Sequence, residues 1–288
     1  MTLIEAIYTA RQRKSALGHF NISDIAALKA ITRAAKEVGV PVIIGTSEGE
    51  AEFVDIQVAV EMVKDAKEEM DHPIFLNADH FHSLDKAKEA VESGYDSVIF
   101  DGANLPIEEN IKQTKEAVAT LKAINPNVLV EGELGYIGSS SKLLDEIPEG
   151  AQITQEALPT VEDAKRFIEE TGVDLLAPAV GNIHGMFKHA PNPKLNIPLI
   201  EAITNAVDTP LVLHGGSGIS DADFTSAIKA GMSVVHINTE IRVAWRKGME
   251  DALEGDKEQI APYKIFPGAE EEVYKVVVKR LKLFSGLI

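Results

Sequence analysis

Three histidines stand where apolar, strand-like runs end, and each arrives with neighbours suited to chemistry. Pro73-Ile74-Phe75-Leu76 leads into Asn77-Ala78-Asp79-His80-Phe81-His82. Leu175 to Val180 leads into Gly181-Asn182-Ile183-His184-Gly185, and Pro210 to Leu213 into His214-Gly215-Gly216-Ser217-Gly218. Strand C-termini are where α/β barrels place their active sites. His80, His184 and His214 are therefore the candidate ligand set for one metal. Three imidazoles with an open fourth position suit a catalytic divalent zinc, which polarises a carbonyl or activates water. The chain has no cysteine, so no thiolate competes for that role. His82 would join a metal pair if His80-x-His82 stayed extended, but Ser83 reads as a helix cap and His82 as already leaving the strand. His19, His72 and His189 lack such context and read as structural.

A second chemistry sits beside the first. Gly215 to Ile219 follows a strand and precedes a helix, so its backbone N–H groups can face an anion at a helix N-terminus. Gly181 and Lys188 flank His184, and Asn238-Thr239-Glu240-Ile241-Arg242 closes another strand, adding donors and a guanidinium. The formal charge of −17 argues against a nucleic-acid partner but not against a small phosphorylated substrate in a locally positive pocket. No apolar run is long enough to span a bilayer, and Met1 to Glu5 lacks the basic and apolar regions of a secretory signal, so a cytoplasmic protein with no membrane partner is expected.

The elements that must position these groups alternate regularly. Eight apolar strand segments, about 18–22, 40–45, 73–78, 95–100, 127–132, 173–180, 209–214 and 232–237, are separated by helical patterns. That alternation predicts a (β/α)8 TIM barrel. A doubly wound sheet is the alternative, but no G-x-G-x-x-G opens a helix, and the motifs fall on many strands. One domain over 1–288 is expected, with the barrel at about 14–253 and a helical C-terminal extension at about 256–288, packed on the barrel or on a neighbouring subunit. The connection 136–159 is long enough to suggest function.

In order and spacing, several motifs resemble the class II, zinc-dependent fructose-bisphosphate and tagatose-bisphosphate aldolases. They are Gly18-x-Phe20-Asn21, Ser47, Asp79-His80, Asp101-Gly102, Glu131-x-Glu133-Leu134-Gly135, Gly181 to Gly185, His214 to Gly218 and Asn238-Thr239-Glu240. The resemblance implies a TIM barrel that splits a ketose 1,6-bisphosphate into dihydroxyacetone phosphate and an aldehyde. It implies His80, His184 and His214 as zinc ligands, and Asp79 as the acid/base at the hydroxyl of the carbon undergoing cleavage. Gly181, Lys188, Gly215, Ser217 and Thr239 would hold the dihydroxyacetone phosphate end; Asn21 and Ser47 would meet substrate hydroxyls or the second phosphate, and Arg242 that second phosphate. Asp101 and Glu131 would be an alternative metal position or partners that orient imidazoles. Asn238 favours fructose 1,6-bisphosphate over the tagatose isomer. Other divalent metals, a monovalent Na⁺ or K⁺ near the phosphate, and a homodimer or homotetramer are further implications.

The chemistry agrees with the resemblance: cleavage next to a ketone leaves an enediolate whose charge needs a cation or an iminium. No strand read here ends in the lysine an iminium requires. Asp145, Glu146 and Glu149, in the long connection, are candidates to protonate the enediolate. The chain departs from the family at Phe81 and Asn77, expected to reshape the wall beside the metal, and at His236, which replaces an amide. Alternatives are an aldolase for tagatose bisphosphate or another phosphorylated ketose, a metal-dependent barrel hydrolase that uses His82, and a repurposed barrel.

Overall fold

Period-two alternation along each strand sets the architecture, because one face of every strand turns towards a shared axis and the other towards helices. The structure, a computed structural model, describes residues 1–138, 141–147, 154, 156–190 and 192–288. Its strands are β1 (Leu17–Asn21), β2 (Val42–Ser47), β3 (Ile74–Phe81), β4 (Ser97–Phe100), β5 (Leu129–Leu134), β6 (Leu143–Leu144), β7 (Leu175–Pro178), β8 (Met186–Phe187), β9 (Leu211–Leu213) and β10 (Met232–Ile237). Eight of them close a parallel barrel in the order β1-β10-β9-β7-β5-β4-β3-β2, as the alternation predicts. The remaining pair, β6 and β8, forms a small parallel sheet that ties the long connection to the loop after β7. The sequence gives no sign of that pairing, since each strand is only two residues long.

Inside the barrel the side chains form layers. At the bottom, Leu17, Ile43, Phe75, Leu129, Leu175, Val212 and Val234 pack against Leu3, Ala6, Ile7 and Ala10 of the first helix, Leu3–Gln12, which plugs that end. Two residues further along the same strands come His19, Asn77, Glu131, His214 and His236; two further still come Asn21, Asp79 and Glu133. The interior thus passes from apolar to ionisable towards the strand C-termini. The outward-facing residues, among them Phe20, Ile44, Leu76, Val130, Leu213 and Val235, lie in the larger core beneath the helices.

Two features of the helical layer have clear causes. Asp55, with a φ of +77°, separates the helix Glu48–Val54 from the helix Ile56–Met70, and its carboxylate caps Gln57 and Val58 N–H of the second. The C-terminal helix Pro262–Phe284 packs on this chain's own barrel, against the helices Ile25–Val38 and Thr239–Gly255. Contact with the second of these depends on Gly248 and Gly268: a Cβ on Gly248 would meet the Gly268 carbonyl oxygen at 2.2 Å, and one on Gly268 the Gly248 oxygen at 2.5 Å. Arg280, from the same helix, is buried and bonds Glu240 and Asp221, tying the extension to the segment that follows β10.

Candidate active site

His80, His184 and His214 converge at the top of the barrel together with Glu133: one ligand atom from each lies within 4.8 Å of the others. Regular β geometry would not bring His80 there. Phe75, Asn77 and Asp79 share the inward face of β3, so the next residue should point out. His80 instead has a φ of +51°, a left-handed conformation costly for a non-glycine residue, and the β3–β4 register shifts between Ala78 and Phe81. The irregularity turns its ring into the barrel beside Asp79. His184 is placed by its N–H bond to Ile137 O (2.9 Å), while Asn182 bonds His214 O (2.9 Å) and accepts from Val180 N (2.8 Å), joining the loops after β7 and β9.

Carboxylates fix the rings. His80 Nδ1 faces Asp101 Oδ2 at 3.0 Å and Glu133 Oε2 at 3.3 Å. His214 Nε2 bonds Glu131 Oε1 at 2.6 Å, and its Nδ1 faces His80 Nε2 at 2.8 Å. For Nδ1 of His214 to offer a lone pair, the proton must sit on Nε2, where Glu131 accepts it; this is how an outer carboxylate selects the tautomer of a ligating imidazole. Asp101 and Glu131 both contact the ring nitrogens from behind, the place of partners that orient imidazoles, whereas Glu133, from the same motif as Glu131, joins the ligand atoms.

The donor set suits a hard-to-borderline divalent cation: imidazoles plus a carboxylate, with no thiolate. Glu133 Oε2 and His184 Nε2 are buried atoms without a hydrogen-bond partner among the described residues, as expected of atoms that serve a cation. From the chain's own charges, burial lowers the His80 pKa, but Asp79, Asp101 and Glu133 outweigh it and raise it to about 10. Burial and the His80 charge lower His214 to about 3 and His184 well below its ordinary value. Burial pushes Glu131 and Glu133 well above the usual carboxylate range. A cation competes with protons for these same atoms.

Asp79 stands beside this set but outside it. Burial would raise its pKa, yet His80, His236 and His19 hold it well below the usual range, so it is a carboxylate at neutral pH. Its Oδ2 accepts from Asn21 Nδ2 (2.8 Å); its Oδ1 lies 3.3 Å from His236 Nδ1 and makes no hydrogen bond. His19 and His236 stack at 3.5 Å with planes 4° apart, and His236 stacks on His214 at 4.1 Å. The close fit of His19 requires Gly45, where a Cβ would meet its ring at 2.1 Å. His19 Nε2 accepts from Asn77 Nδ2 (3.0 Å), whose Oδ1 accepts from Ser97 Oγ (2.7 Å). His19 therefore belongs to the site floor rather than to a purely structural position.

The narrow cavity over the histidines is lined by Asn21, Asp79, His80, Ser141, His184, Gly185, Gly215, Gly216, Ser217, His236, Asn238 and Thr239. Gly181, Ser47, Lys188 and Arg242 are not in that lining. Ser47 caps the helix Glu48–Val54, Lys188 pairs with Asp145 at 2.8 Å, and Arg242 pairs with Glu50 at 2.6 Å. Gly181 has a φ of +93°, and a Cβ there would meet Lys194 O at 2.8 Å, so it shapes the loop. Phe81 is fully buried in the outer core, so it does not narrow the wall beside the metal set; that expectation is corrected. His82 lies beyond the cluster with its side chain 48% exposed, its Nδ1 facing Asp101 O. Glu146 is exposed, and Glu149 lies outside the described residues.

Glu131→Gln is expected to lower divalent-metal affinity by about 10- to 100-fold with the fold retained, because a neutral amide holds the His214 tautomer less firmly. Competition against a chelating dye measures it. Unchanged affinity would remove Glu131 from that role.

A parallel eight-stranded barrel with imidazoles and carboxylates converging at its C-terminal face defines a metal-dependent barrel enzyme. Sequence comparison narrows the class: the family model described as Fructose-bisphosphate aldolase class-II matches residues 1–286. The chain belongs to the class II fructose-bisphosphate aldolase family, whose members are lyases that use a divalent metal. It is 34% identical over 288 residues to a fructose-bisphosphate aldolase of Staphylococcus aureus, covering 99% of this chain and 97% of that one. A fructose-bisphosphate aldolase of Geobacillus stearothermophilus is 33% identical over 289 residues, with the same coverage. Among solved structures, the YdjI aldolase from Escherichia coli K12 superposes with a TM-score of 0.80 at 28% identity, covering 99% of this chain and 97% of that one. No helix among the described residues is long and apolar enough to cross a membrane.

Proposed function

We propose that this chain reversibly cleaves a ketose 1,6-bisphosphate, with fructose 1,6-bisphosphate favoured, to dihydroxyacetone phosphate and glyceraldehyde 3-phosphate. The observation that carries the proposal is the convergence of His80, Glu133, His184 and His214 beside a carboxylate, Asp79, that is not one of the four. His80, His184 and His214 would hold one zinc ion, with Glu133 next to them. Bound there, zinc supplies the positive charge that a carbonyl needs to accept an electron pair.

Asp79 Oδ1 takes the proton of the hydroxyl on the fourth carbon. The oxygen's electron pair forms the aldehyde carbonyl, the bond between the third and fourth carbons breaks, and its electrons pass to the ketone, giving the enediolate. A proton returned to the third carbon completes dihydroxyacetone phosphate; Asp145 and Glu146 are candidates for that transfer. Asn21 steadies Asp79 by donating to its other oxygen, and His236 flanks the reacting one. In the turn after β9, Gly216 N–H is used by His236 O and Gly218 N–H by Glu240 Oε1. The N–H groups of Gly215 and Ser217 have no acceptor among the described residues, and with Thr239 and Asn238 they would grip the phosphate, a monovalent cation adding to the field. Lys188 would act from the rim, and Gly181 through the loop that it shapes.

The proposal includes one domain over 1–288, a homodimer or homotetramer, and a cytoplasmic, glycolytic setting. It is tested by a panel of fructose, tagatose and sedoheptulose bisphosphates assayed with added zinc. Cleavage of the fructose isomer fastest is expected. Failure to cleave any of them would reject the proposal.

A further inference from the structure

Glu50, a carboxylate to which sequence reasoning gave no role, is 8% exposed and lies behind Asn21, which lines the cavity. Its Oε2 accepts from Asn21 Nδ2 at 2.8 Å and from Ser47 N at 2.9 Å, and its Oε1 takes Arg242 Nη2 at 2.6 Å. Asn21 Nδ2 also donates to Asp79 Oδ2, so Asp79, Asn21, Glu50 and Arg242 form one bonded run. The run leads outward: Asp79, Asn21 and Glu50 are buried, whereas the Arg242 side chain is 47% exposed. The other arm of the guanidinium, Nη1, donates to Ser141 O at 2.9 Å.

We propose that Glu50 is a specificity-determining residue, which by holding Arg242 lets the site accept ketose 1-phosphates with an uncharged far end about as well as bisphosphates. The inference rests on the aldolase reading above. A substrate whose reacting hydroxyl meets Asp79, and whose first phosphate lies at the Gly215–Ser217 turn, has its remaining carbons on the Asn21–Glu50 side. No lysine or arginine lines the cavity among the described residues, but Arg242 is bonded to its lining, directly at Ser141 O and through Glu50 at Asn21. A dianionic phosphate arriving on that side finds the Arg242 charge offset by the Glu50 carboxylate, and gains Nη2 only by breaking a charge-assisted bond. A hydroxyl pays neither cost. The carboxylate thus removes the advantage that a second phosphate would have over a neutral group.

Glu50→Gln separates the charge from the scaffold. The amide oxygen can keep the Oε2 position, accepting from Asn21 and Ser47, while the amide nitrogen replaces the atom that holds Arg242 and so releases the guanidinium. The test is kcat and KM for fructose 1,6-bisphosphate and for fructose 1-phosphate, with zinc-loaded protein. For the wild type, the two kcat/KM values are expected to agree within about tenfold, and E50Q is expected to raise the bisphosphate to 1-phosphate ratio roughly 10- to 100-fold, through a lower KM for the bisphosphate. Adding Arg242→Ala to E50Q should cancel that gain, which a merely structural role for Glu50 would not produce. A wild-type preference for the bisphosphate above about 100-fold would overturn the proposal without any variant being needed, as would an E50Q ratio equal to that of the wild type. Cleavage of neither ketose by the wild type would instead show that the aldolase reading itself has failed, and the proposal with it.

Discussion

Asp79→Ala is expected to keep its metal and lose turnover by a factor of about 10² to 10⁴, the range for removal of a positioned acid or base. The two halves of that expectation come from different parts of the geometry. Metal is retained because Asp79 is not among the four residues whose ligand atoms converge. Turnover falls because Asp79 Oδ1 is a buried, ionised acceptor with no hydrogen bond to release, held in place by Asn21 on its other oxygen. Nothing adjacent replaces it: Glu131 is engaged by His214 Nε2, Glu133 stands among the ligand atoms, and His236 is held neutral by burial and by its histidine neighbours. Metal analysis and steady-state kinetics on the same preparation check both halves. Near-normal turnover would remove Asp79 from the mechanism; loss of metal would make it a ligand.

His214→Ala is expected to lose metal affinity by more than the roughly 10- to 100-fold typical of an outer partner such as Glu131, and to lose activity in step with it. The substitution deletes the ligand atom Nδ1 beside His80 Nε2, leaves the buried Glu131 carboxyl without its partner, and opens the stack on His236. His82→Ala, measured beside it, should retain both metal and activity, because that ring is half exposed and outside the cluster. Full zinc occupancy in His214→Ala would contradict the ligand set. Loss of metal in His82→Ala would restore the hydrolase alternative.

How much of this was legible beforehand follows from parity and from distance along the chain. The strand–helix alternation gave the barrel, and strand ends carrying His184 and His214 gave the right face, because both follow inward-facing positions of β7 and β9. Glu133 was equally legible: Leu129, Glu131 and Glu133 share one face of β5 by the period of two. His19 shares its face with Leu17 and Asn21, so its inward placement was legible too, but the room for its ring comes from Gly45 on a neighbouring strand. His80 could not be placed by periodicity, since strand parity sends it outward and only a left-handed residue brings it in. Phe81, next to it, was misjudged for the same reason. The Glu50–Arg242 pair joins residues 192 positions apart, and no local pattern announces a contact of that kind. Pairing of β6 with β8 sets Leu143 and Leu144 of the long connection against the loop that carries His184, by two-residue strands too short to carry any periodic signal.

The central claim, that these side chains converge to hold one catalytic cation, is tested most directly by stripping the protein with a chelator and titrating zinc back while following cleavage of fructose 1,6-bisphosphate. Activity should disappear with the metal, return in proportion to zinc up to one ion per chain, and be untouched by borohydride. Activity that survives metal removal, with borohydride trapping substrate on a lysine, would contradict it.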